Sequence, residues 1–70
     1  MTIEEMTRRL LAGFWVWAGD YVVGCEKEGA FVAVHGKGTS HITQKWDTSR
    51  ETAAHEIISR IMIPRHQDMT

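Results

Sequence analysis

The residues with the most reactive side chains are Cys25 and four histidines, His35, His41, His55 and His66. His35 and His41 flank the stretch "GKGTS" and could face each other across a turn, with Cys25 as a third ligand. Structural zinc wants four closed ligands at tight spacing, and neither a CxxC nor an HExxH pattern is present. These histidines therefore read as polar residues near strand ends, and no metal is expected. "GKGTS" lacks the GxxxxGK[ST] order of a phosphate loop and lies between two apolar runs. It reads as a hairpin turn. Cys25 beside a histidine could act as a nucleophile, and Asp20, Glu26, Glu28 or Glu51 as acids or bases. None of them falls in a recognisable catalytic arrangement. A chain of 70 residues also has little room for a cleft that buries a substrate. The expectation is no catalysis, no cofactor and no small-molecule substrate.

The elements that would position these groups follow from caps and periodicity. Thr2 and Glu5 form a capping box. Ile3, Met6, Leu10 and Leu11 then share one face at helical spacing, supported by the pairs Glu4–Arg8 and Glu5–Arg9. Two endings are open for this helix. Gly13 could be its left-handed cap, with a strand from Phe14. Alternatively the helix continues to Ala18, since Phe14 and Trp17 prolong its apolar stripe, and Gly19 is the cap. "YVVGCE" and "AFVAVH" read as strands joined at "KEG", where Gly29 supplies a positive φ. "SHITQKW" is a third strand, with Ile42 and Gln44 on one side and Thr43 and Lys45 on the other. Thr48 and Glu51 repeat the capping box and open a second helix with the stripe Ala54, Ile57, Ile58 and Ile61. Pro64 ends it. The expected fold is α+β in the order α-β-β-β-α, a three-stranded antiparallel sheet with two helices packed on one face. Residues 1–63 form the single domain, and 64–70 form a flexible tail.

Composition narrows the function. Eight Lys and Arg face nine Asp and Glu, a net charge of −1, scattered along the chain. Nucleic-acid modules usually carry a basic excess, so nucleic acid is an unlikely partner. One cysteine allows no intrachain disulfide and suits a reducing cytoplasm. No secretory signal is evident, and the apolar runs are too short for a membrane helix.

The α-β-β-β-α order resembles the double-stranded-RNA-binding domain over most of the chain. That family meets phosphates with lysines at the start of its second helix, where "TSRETAA" offers Arg50 beside Glu51. "EKEGAFVA" followed by "DTSRETA" is also similar to the sheet and helix of HicB-type antitoxins, to which this chain adds an N-terminal helix.

The aromatic residues of "FWVWAGDYVVG" carry the main functional expectation. In a strand, Trp15 and Trp17 point the same way, onto the face away from the helices, where Tyr21 and Trp46 could join them. In a helix the two rings lie about 200° apart and one is stranded outside. A single small chain can hardly cover both. The expected function is a small, non-catalytic cytoplasmic protein of the accessory or inhibitor type, from a bacterium or phage. It binds another protein or a second copy of itself through Trp15, Trp17, Tyr21 and Trp46. The alternative is a nucleic-acid-binding module using Arg8, Arg9, Lys37, Lys45 and Arg50.

Overall fold

The computed structural model describes residues 1–47 and 49–63. The first helix, α1, spans Ile3–Leu11. Its capping box is formed: the Glu5 N–H donates to Thr2 Oγ1 at 3.1 Å, and the Thr2 N–H donates to Glu5 Oε1 at 2.9 Å. Its end is set by Gly13, which takes φ +101°. The Gly13 N–H donates to the Leu10 carbonyl and the Phe14 N–H to the Arg9 carbonyl, both at 3.1 Å. These two bonds make a Schellman motif, which satisfies carbonyls that a longer helix would have covered. Phe14 to Ala18 are thus not helical.

Instead Val16–Ala18 form a short strand, β1, which returns through the Gly19–Asp20 turn into β2, Tyr21–Lys27. Strands β3, Ala30–His35, and β4, His41–Lys45, complete an antiparallel meander in the order β1-β2-β3-β4. The sheet therefore has four strands, one more than expected, and the element order is α-β-β-β-β-α. The extra strand exists because Gly19, at φ +61°, turns the chain of a hairpin and does not cap a helix. The order α-β-β-β-α that prompted the double-stranded-RNA-binding comparison is therefore not the order of this chain.

The second helix, α2, spans Arg50–Met62 and is capped by Ser49, whose hydroxyl accepts the Thr52 N–H at 2.9 Å. Thr48, Pro64, His66 and the proposed tail 64–70 lie outside the described residues.

Both helices cover one face of the sheet. Met6 and Leu10 of α1 and Ala53, Ala54, Ile57 and Ile58 of α2 pack on Val16, Ala18, Val23, Phe31 and Ala33. The alanines leave the helices room to approach each other and the strands. Among the described residues no helix lies on the opposite face, and its side chains follow from the register. Val16↔Val23↔Ala33↔Ile42 lies beneath the helices, so Trp17↔Val22↔Val34↔His41 lies on the open face.

The open sheet face as candidate binding site

Strand β1 is an edge strand and presents two indoles on the open face. Trp15 is 52% exposed and Trp17 is 61% exposed, although both rings have seats. Gly24 is the seat of Trp15, because a Cβ at position 24 would overlap the indole ring. Val32, the cross-strand partner of Gly24, is only 7% exposed although it faces away from the helices. The Trp15 ring lies over Gly24, directly across from it. Trp17 leans the other way, with its ring 3.4 Å from where a Cβ on Gly36 would be. Two glycines thus let the rings lie down over β2 and the end of β3. An interior strand glycine is a sign of such a close approach, and Gly24 inside "YVVGCE" was a readable signal for it. Phe14, just before β1, is 63% exposed and lines a shallow groove of about 330 Å³ with Glu5, Arg8, Arg9 and Ala12.

Tyr21 and Trp46 do not join this patch. Tyr21 pairs with Ala18 and shares the helix-covered face, at its margin. Its hydroxyl is 3.2 Å from Ser40 Oγ, and its ring meets His35 edge-on at 5.1 Å. Trp46 packs on Phe31 at 5.3 Å between ring centroids, beneath the helices. The physical reason is parity. Trp46 continues the side of β4 that carries Ile42, and Tyr21 stands across from Ala18, whose neighbour Trp17 points the other way.

The basic residues of the nucleic-acid alternative are dispersed. Arg50 is engaged in the fold. Its Nη2 donates to the Leu11 carbonyl at 2.7 Å, and its guanidinium lies 5.5 Å from the Trp46 ring and 5.9 Å from Phe31. It thereby ties the start of α2 to the end of α1, the role of a cation at a helix C-terminus. Lys37 sits in the β3–β4 turn and Lys45 at the far end of β4. Arg8 and Arg9 are in the last turn of α1.

The candidate metal ligands are also apart. His35 lies on the helix side of the sheet and His41 on the open face, because their strand partners Tyr21 and Val34 face opposite ways. His35 Nδ1 accepts the Lys37 N–H at 3.1 Å, which shapes the turn. Cys25 is exposed beside the register shift in β2, and its thiol donates to the Lys27 carbonyl at 3.3 Å. His55 is on the exposed side of α2, with Nδ1 3.4 Å from Ser59 Oγ. Among the described residues no three His, Cys, Asp or Glu side chains gather as metal ligands. No described helix is long and apolar enough to cross a membrane. One carboxylate has a displaced acidity: the Thr2 N–H bonded to Glu5 holds its pKa below the ordinary glutamate value. The amino-terminal charge, Arg8 and Arg9 act in the same direction.

No family model, curated protein or solved structure matches the chain.

Proposed function

We propose that this chain is a non-catalytic protein-binding module whose contact surface is the open sheet face around β1 and β2, anchored by Trp15 and Trp17. The observation that carries this reading is that two indoles seated on glycines remain more than half exposed on the same face. Seated rings lose little freedom when a partner covers them, and exposed tryptophans are the commonest energetic anchors of protein interfaces. Beneath the indoles the open face carries Val22, Gly24, Val32 and Val34, while Lys27 and Lys45 pair with Ala30 towards its other end, so the surface at the rings fits an apolar partner better than a phosphate backbone. An accessory or inhibitor role in a reducing cytoplasm agrees with the small size and with an exposed single thiol.

The experiment compares Trp15→Ala and Trp17→Ala with the wild type in thermal melting and in capture of proteins from host extract. Trp17→Ala should stay folded, with a fall in melting temperature no larger than that of Trp15→Ala, the more covered ring, and should lose about 2 kcal/mol or more of binding, the scale of an interface anchor. Equal capture by wild type and both variants refutes the reading. So does sub-micromolar binding of duplex RNA or DNA at physiological salt, which would move the function to the nucleic-acid class.

A further inference from the structure

Among the described residues no strand pairs with the outer edge of β1, and that edge is nearly self-complementary in sequence. The Gly36 N–H donates to the Asp20 carbonyl. In an antiparallel ladder this makes Tyr21↔His35 a non-hydrogen-bonded pair, so the backbone groups of Val22 and Gly24 point to β3 and those of Tyr21 and Val23 point to β1. The partners Ala18 and Val16 consequently bond to β2, while the N–H and C=O of Trp17 point out of the sheet. Trp15 lies one residue before β1, and extending the strand alternation to it gives its N–H and C=O the same outward direction. Both rings lean inward over Gly24 and Gly36 and leave this edge open.

We infer that β1 pairs antiparallel with β1 of a second copy about a two-fold axis at Val16, giving a continuous eight-stranded sheet; this rests on reading the Trp15–Trp17 face as a protein-binding surface. The sequence "FWVWA" reads nearly the same in both directions about Val16. Antiparallel self-pairing at that axis sets Trp15 opposite Trp17 of the second copy, and Phe14 opposite its Ala18. Trp15 and Trp17 are the two residues with outward N–H and C=O groups, so the two-fold yields four backbone hydrogen bonds. It also places Trp15 and Trp17 of both copies on one face of the joined sheet, with each ring leaning back over its own Gly24 or Gly36. An isologous contact requires such self-complementarity, and closed two-fold dimers are the commonest oligomers.

Charge and area bear on the same occupant. Continuing the register carries the Gly19–Asp20 turn of the second copy towards the C-terminal end of α1. There Arg8, Arg9 and Glu5 line the groove at Phe14. The exposed parts of Phe14, Trp15 and Trp17 sum to roughly 250–450 Å² per copy. A standard interface buries about 800 Å² per partner. Edge pairing covers only part of that surface, because both indoles lean over their own sheet, so the expected interface is small and the dimer reversible.

The test is sedimentation from about 1 µM to 1 mM, combined with residue-resolved amide exchange at both ends of that range. The expected result is a monomer–dimer equilibrium. The amides of Trp15 and Trp17 gain protection with concentration, while those of Val16 and Ala18, already bonded to β2, do not depend on it. Trp17→Lys and Trp15→Glu should each weaken the dimer about tenfold or more. Their mixture, in which opposite charges face across the axis, should associate more tightly than either alone. A wild type that stays monomeric to 1 mM overturns the inference, as does a dimer whose Trp15 and Trp17 amides stay unprotected. If that monomer still captures another protein in a Trp17-dependent way, the protein-binding reading stands and only the second copy is wrong. If Trp17→Ala changes neither capture nor self-association, both fail.

Discussion

Replacing Gly24 with Ala tests whether Trp15 is truly seated. Gly24 does not take a positive φ, so its backbone accepts alanine without strain. The obstacle is the ring, since the three nearest atoms to the new Cβ all belong to the Trp15 indole. The ring must therefore lift away from the sheet. Trp15 is 52% exposed, so 48% of its surface is covered. For a side chain that can bury roughly 150–250 Å², this is about 70–120 Å². At about 25 cal/mol per Å², lifting the ring costs about 2–3 kcal/mol. Replacing glycine in a strand returns roughly 0.5–1 kcal/mol of backbone entropy. The net loss is about 1–2 kcal/mol, a fall of roughly 4–16 °C in melting temperature for a domain of this size. Trp15 emission should also move to longer wavelength. The decisive comparison is the double variant Gly24→Ala with Trp15→Ala. With the ring gone, alanine at 24 should be neutral or stabilising, so the two substitutions should couple by about 1 kcal/mol or more. A Gly24→Ala protein that melts like the wild type, with unchanged emission, refutes the seat and the preorganised patch built on it.

Three further outcomes are expected. Ile57→Ala empties a fully buried site under the sheet and should cost roughly 2–5 kcal/mol, enough to unfold much of so small a domain; a melt within a few degrees of wild type would contradict that placement. Arg50→Ala removes the bond to the Leu11 carbonyl and the stack on Trp46, and should cost about 1–2 kcal/mol, whereas Arg50→Lys should recover only part because lysine lacks the planar fork; equal melting of all three proteins would show the clamp to be incidental. Titration of Glu5 should give a pKa below the ordinary glutamate value. Because the folded pKa is the lower one, the contribution of the capping box is complete above the unfolded value and is lost as pH falls through the folded one; an NMR titration that places Glu5 at the ordinary value would remove the Thr2 bond as its cause.

Much of this fold can be read from local signals, and what cannot depends on one turn. The capping box at Thr2 and Glu5, the strand pair around Gly29 and the apolar stripe of α2 each rest on adjacent residues, and each is present. The segment Phe14–Ala18 was ambiguous because its aromatic spacing satisfies both the helical and the strand period. Two glycines decide it, Gly13 ending α1 and Gly19 closing a hairpin. Once Ala18 is paired with Tyr21, the faces of the other aromatic residues follow by alternation. Tyr21 must then lie opposite to Trp17, and Trp46 must follow Ile42 to the helix side. The expected four-residue aromatic patch therefore failed through parity, while its Trp15–Trp17 half follows from the same parity. Arg50 could not have been read as a clamp, because its partner Leu11 is 39 positions away along the chain. The strand between the two glycines is short, begins and ends within five residues, and puts its two largest side chains on the uncovered face. The covered halves of the two rings stabilise the solitary domain, and the exposed halves add nothing to it. On the proposal that β1 lends its edge to a second copy, the outward backbone groups of Trp15 and Trp17 and the exposed parts of their rings are what that copy would meet.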